Sequence, residues 1–174
     1  MTSVGKAGTT AAALLLATMV HTQAKAQEDA FLDRFKGNWT GSGRIQRNAE
    51  SSPWQVNCTV NGNRAPDRIS IQGNCRAALI VQRPIAADLA YDVRTGLYRG
   101  VYTGARVGPA RLSGARSGNA VRLTIDWPKP VNGDTRAEMT ITNEGSGMLR
   151  IVVRDNLVPG GPVQQTSELV LRQR

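Results

Sequence analysis

Acid–base chemistry has few parts to work with in this chain. Its single histidine is His21, and residues 22–174 contain none. That removes Ser-His-Asp and Cys-His arrangements and any imidazole general base. Four carboxylates, Asp88, Asp92, Asp126 and Glu138, fall within alternating apolar/polar stretches. Each lies opposite the apolar set of its stretch, so they read as a solvated outer face and not as an acid–base pair. No enzyme activity is expected. Tyr91, Tyr98, Tyr102 and the four methionines could in principle ligate haem iron, but nothing in their spacing suggests it. We expect no metal and no cofactor. The tyrosines suit rim positions, with the ring buried and the hydroxyl wet.

Cysteine and tryptophan positions are more informative. In Pro53–Gly62, Trp54, Val56, Cys58 and Val60 alternate with polar residues. In Arg68–Cys75, Ile69, Ile71, Gly73 and Cys75 do the same. Arg64-Ala65-Pro66-Asp67 between them is turn chemistry, since proline presets a turn and cannot donate to a ladder. Folded about that turn, Cys58 and Cys75 come face to face on the apolar side, predicting a cross-strand disulfide. Closing such a loop is worth ~3 kcal/mol in the chain-entropy picture.

Trp39, Trp54 and Trp127 all fall on apolar strand faces, as do Gly41, Gly43, Gly73 and Gly114. Glycine at an inward position either leaves room for a ligand or lets strands coil closely enough to close a barrel. The candidate cavity lining is therefore Trp39, Gly41, Gly43, Trp54, Gly73 and Trp127.

The elements that must position these residues are almost all strands. A helical turn carrying Phe31 and Phe35 stops at Gly37, and a strand follows with Trp39, Gly41, Gly43 and Ile45 on one side. Ala77–Val81 is continuously apolar. Pro84 then interrupts the pattern before Ile85–Val93 resumes it. In Leu97–Thr103, Tyr98 and Tyr102 compete with Leu97 and Val101 for the inner face. Val121, Leu123, Ile125 and Trp127 form the cleanest strand, which is expected to end in an exposed loop at Pro128–Asp134. Leu149, Ile151 and Val153 mark a further strand, and Leu169 and Leu171 the last. About eight to ten short strands joined by short turns predict an all-β, closed antiparallel meander barrel after one N-terminal helical turn. A β-sandwich is the alternative.

The first 26 residues stand apart. Lys6, the uncharged run Ala11–Val20 and the small-x-small Ala24-Lys25-Ala26 have the anatomy of a secretory signal peptide cut before Gln27. The expected organisation is a signal peptide over 1–26 and one barrel domain over 27–174, periplasmic or secreted. No later stretch reaches the ~20 apolar residues of a membrane-spanning helix. Without Lys6 and Lys25 the formal charge of +9 falls to +7, nearly all of the basic residues being arginine. Arg44, Arg68, Arg122 and Arg136 fall on outer faces and form no run, whereas nucleic-acid binding favours a concentrated stripe with interleaved aromatics. No nucleic-acid partner is expected. An anionic envelope component suits this charge better.

The Gly37-x-Trp39 pair, opening a first strand after a helical turn, resembles the lipocalin and calycin barrels. The basic last strand adds to the likeness. The resemblance implies that the first strand pairs with the last and that a C-terminal arginine, Arg172 or Arg174, stacks on Trp39. The ten-strand reading also resembles avidin-like and nitrobindin-like barrels. Nitrobindin-like barrels hold haem through a histidine, which residues 22–174 do not offer. Two functions follow as expectations. One is a non-enzymatic exported protein holding a small apolar or amphipathic molecule in its interior. The other is a solid interaction module whose arginine-rich surface, with loops 104–109, 128–134 and 156–164, contacts an anionic envelope component or a protein.

Overall fold

A computed structural model describes residues 25–77 and 81–174. The predicted signal peptide lies almost wholly outside the described residues, as does the centre of the apolar run at 78–80. Among the described residues there are ten strands. They are β1 (Gly37–Ile45), β2 (Trp54–Ala65), β3 (Arg68–Ala77), β4 (Val81–Asp92), β5 (Leu97–Thr103), β6 (Ala110–Ser117), β7 (Ala120–Val131), β8 (Asp134–Asn143), β9 (Met148–Asp155) and β10 (Gln164–Gln173). Each pairs antiparallel with its chain neighbour, and β1 closes the sheet on β10 from Trp39↔Gln173 to Ile45↔Ser167. The meander barrel expected from the alternation is the fold.

Alternation sets the inside. Val56, Cys58 and Val60 of β2, Val121, Leu123 and Ile125 of β7, and Ala137, Met139 and Ile141 of β8 are all buried. Their polar neighbours along each strand face out. In β5 the inner face belongs to the tyrosines: Tyr98 is fully buried, whereas Val101 is 43% exposed. Three prolines interrupt less than their chemistry suggests. β4 runs through Pro84, which sits opposite Asn74. β7 runs through Pro128 and Pro130 after a register shift beyond Asp126, and turns at Asn132-Gly133. Both turn residues have positive φ, 48° and 88°, as a tight Asn-Gly hairpin requires.

The inward glycines serve closure. A Cβ on Gly41 would overlap the Val170 carbonyl oxygen, one on Gly43 that of Glu168, and one on Gly73 that of Thr59. Neighbouring backbone fills the space that a side chain would need.

One end of the barrel is sealed by helix α1 (residues 25–33). It extends the expected single turn by about one turn toward the N-terminus. Phe31 and Phe35 meet edge-on, with ring centroids 5.2 Å apart, and Leu32 and Trp39 are buried beside them. Trp39 Nε1 donates to the Phe35 carbonyl at 3.2 Å. Polar ties hold the plug in place. Arg116 Nε donates to the buried Glu28 at 2.8 Å, Tyr98 donates its hydroxyl to the same carboxylate, and Arg64 pairs with Asp29. Asn143 Nδ2 donates to the Arg34 carbonyl at 2.9 Å.

The expected arginine stack on Trp39 is not formed. Trp39 lies opposite Gln173, so Arg172 points to the outer face opposite Thr40, and Arg174 Nε donates to Thr40 Oγ1. The guanidiniums stacked on a ring at this end are those of Arg34 and Arg116, both over Phe31. A one-residue step along a strand changes faces, and that step separates Arg172 from Trp39. Tyr98 likewise departs from the rim role expected of it, since its hydroxyl is inside, on Glu28.

Candidate ligand cavity

The opposite end is open. The connections after β1, β5, β7 and β9 all emerge there, as the meander demands. Loops 104–109, 128–134 and 156–164, which the sequence suggests as a contact surface, therefore lie at one end of the barrel. Between them a cavity of about 500 Å³ descends into the interior. Its wall is apolar, with Val56, Ile71, Met139, Ile141 and Leu169 at depth and Trp54, Ile85, Tyr102 and Trp127 toward the mouth. Such a volume sits within the ~300–1,000 Å³ of small-molecule sites.

Two of the six candidate lining residues reach the cavity. Trp54 and Trp127 border the cavity; Trp39, Gly41, Gly43 and Gly73 do not. Trp39 packs under α1, and the glycines lie where strands cross closely. Cys58 and Cys75 are opposite each other on β2 and β3 and form the disulfide, with Cα atoms 4.0 Å apart. Cys75 also borders the cavity.

Polar groups in the wall were not among the candidates. Asp155 is 4% exposed. Its Oδ2 accepts from Trp127 Nε1 at 3.1 Å and its Oδ1 from the Asn156 backbone N–H at 2.7 Å. Burial raises its pKa above the usual carboxylate range, although those two bonds pull the other way. Asn156 follows it. Its backbone carbonyl accepts from Asn132 Nδ2 at 2.8 Å, while its side-chain Oδ1 is buried without a partner. Burial also raises the pKa of the Tyr102 phenol, against the opposing influence of Arg83.

Parity could have found two of the missed polar residues. Asp155 continues the inward set Leu149, Ile151, Val153, and Asn143 continues Ala137, Met139, Ile141. Glu28 lies three and seven residues before Phe31 and Phe35, on the same helix face.

No protein-family model matches the chain, and no curated protein matches it. Among solved structures, the crystal structure of Rv2717c from M. tuberculosis is similar, with a TM-score of 0.63 and 16% sequence identity. The match covers 82% of this chain and 94% of that one. The likeness is one of fold, a closed barrel.

Proposed function

We propose that this protein is an exported, non-enzymatic barrel, similar to the calycins in design, that holds a small apolar or amphipathic molecule in its interior. The observation that carries the reading is the asymmetry of the barrel. Aromatic residues and α1 fill one end, whereas the other keeps about 500 Å³ open among apolar side chains. Protein interiors normally pack to crystal-like density with few voids larger than a water molecule. A cavity of this size, lined by Val, Ile, Met and Trp, lowers stability unless something occupies it. The lack of histidine in residues 22–174 and the roles of the buried carboxylates fit binding better than catalysis. Glu28 is held by Tyr98 and Arg116, and Asp155 by Trp127 and Asn156.

The outer-face arginines give less support to a polyanion-binding module. Arg136 pairs with Asp126 at 3.5 Å, Arg150 with Glu168 at 2.7 Å and Arg154 with Glu138 at 3.9 Å. These exposed pairs offset part of the positive charge. The outer arginines without an ion pair among the described residues, such as Arg44, Arg68 and Arg122, are spread along the chain and form no run. Titration with a neutral apolar probe, followed by tryptophan fluorescence at low and high salt, separates the readings. A cavity binder responds equally at both salt concentrations. A surface module ignores the probe and binds polyanions only at low salt.

A further inference from the structure

We infer that the ligand is an anionic amphiphile, its chain in the cavity and its negatively charged head at the mouth among Arg47, Arg83 and Arg106. The inference rests on the cavity reading above and adds the chemical class.

All three arginines border the cavity. Arg83 continues the inward parity of Ile85, Ala87 and Leu89 and sits opposite the buried Cys75, so β4 delivers it to the inner lip and not to the outer coat. Arg47 follows the inward series Trp39, Gly41, Gly43, Ile45 by the same step, just past the end of β1. Two of the guanidiniums are held where they stand. That of Arg47 lies over the Trp54 ring, 4.3 Å from its centroid, and Arg83 Nη1 donates to the Gly104 carbonyl at 3.4 Å. Arg106 reaches the rim from the loop between β5 and β6.

Charge balance gives the direction. Among the described residues none of the three arginines has a carboxylate partner, whereas Arg136, Arg150 and Arg154 on the outer face each have one. Residues 1–24 and 78–80 contain no acidic side chain that could supply one. Asp155 is the one carboxylate bordering the cavity among the described residues; it ends β9 on the mouth side and is buried, with its oxygens already held by Trp127 Nε1 and the Asn156 N–H. Three arginines against one buried, hydrogen-bonded carboxylate leave the charge bordering the cavity net positive, and an anionic head is attracted there. A guanidinium fork suits carboxylate, sulfate or phosphate oxygens.

Three probes of equal chain length test this: dodecanoate, dodecanol and dodecyltrimethylammonium, the two ions titrated below their micellar concentrations and the alcohol below its solubility limit, each followed by tryptophan emission. Dodecanoate should bind at least tenfold more tightly than dodecanol at low salt, with dodecyltrimethylammonium weakest, and its advantage should shrink as salt rises. The triple variant Arg47→Gln, Arg83→Gln, Arg106→Gln should lose that advantage and keep its affinity for dodecanol, which also reports an intact fold. Dodecanol binding as tightly as dodecanoate, or the ammonium binding more tightly, would overturn the inference while leaving the cavity reading in place. If none of the three binds, the cavity reading falls and the inference with it.

Discussion

Trp127 and Asp155 lie on strands that do not pair, β7 and β9, yet the indole N–H donates to the buried carboxylate at 3.1 Å. The bond passes over the inner face of β8 near its start. It fixes a cavity-lining ring and keeps a charged group inside the barrel. Because burial raises the folded-state pKa of Asp155, the folded chain holds its proton to a higher pH than the unfolded chain does. The stability from this group is therefore fully present below the ordinary carboxylate value and is lost as pH rises through the raised one. Asp155→Asn should remove that loss. The difference in unfolding free energy between the two proteins, measured across about pH 4–8, should shift toward the variant as pH rises. A flat difference would contradict the assignment. Asp33, Asp92 and Glu168, whose pKa values are lowered chiefly by hydrogen bonds, are common to both proteins and cancel.

Trp39→Ala should destabilise the barrel by ~3–5 kcal/mol, the usual cost of truncating a large buried aromatic. Trp39 is fully buried and joins α1 to β1 through the Phe35 carbonyl. Chemical denaturation measures the loss. An unchanged midpoint would mean that α1 is not the seal described.

Gly41→Ala separates the two roles open to an inward glycine. With the Val170 carbonyl oxygen in the way, the new methyl should cost ~1–3 kcal/mol through backbone displacement. Affinity for dodecanol should not change, since Gly41 is outside the cavity wall. A variant of undiminished stability but weaker binding would return the glycine to the ligand site.

Removing the disulfide with Cys58→Ala and Cys75→Ala should lower stability by ~3 kcal/mol, for a sequence separation of 17 residues. Denaturant curves of the oxidised protein and the double variant give the value directly. Equal stabilities would show that hairpin β2–β3 holds its register without the bridge.

Much of this fold can be read from alternation alone, because a period of two assigns each side chain to a face before any partner is known. Cys58 and Cys75 pair for that reason, whereas the pairing of β1 with β10 follows from closing the sheet and not from alternation. What alternation does not supply is depth along the barrel axis. Trp39, Trp54 and Trp127 look equivalent in their strands, but Trp39 starts β1 at the sealed end, while Trp54 and Trp127 lie near the mouth. Hydrophobic patterning also passes over inward polar residues at strand ends. Asp155 and Arg83 share the parity of apolar neighbours, and their chemistry became visible only once the strands were placed side by side.

The most direct test of an interior ligand site uses a bromine-bearing long-chain alcohol, which quenches tryptophan on contact. In Trp39→Phe the remaining emitters are the two cavity indoles, Trp54 and Trp127. In the double variant Trp54→Phe, Trp127→Phe the remaining emitter is Trp39 beneath α1. Saturable quenching of the first protein with little effect on the second is the predicted result. No quenching in either protein, or equal quenching in both, would contradict a binding site at the open end of the barrel.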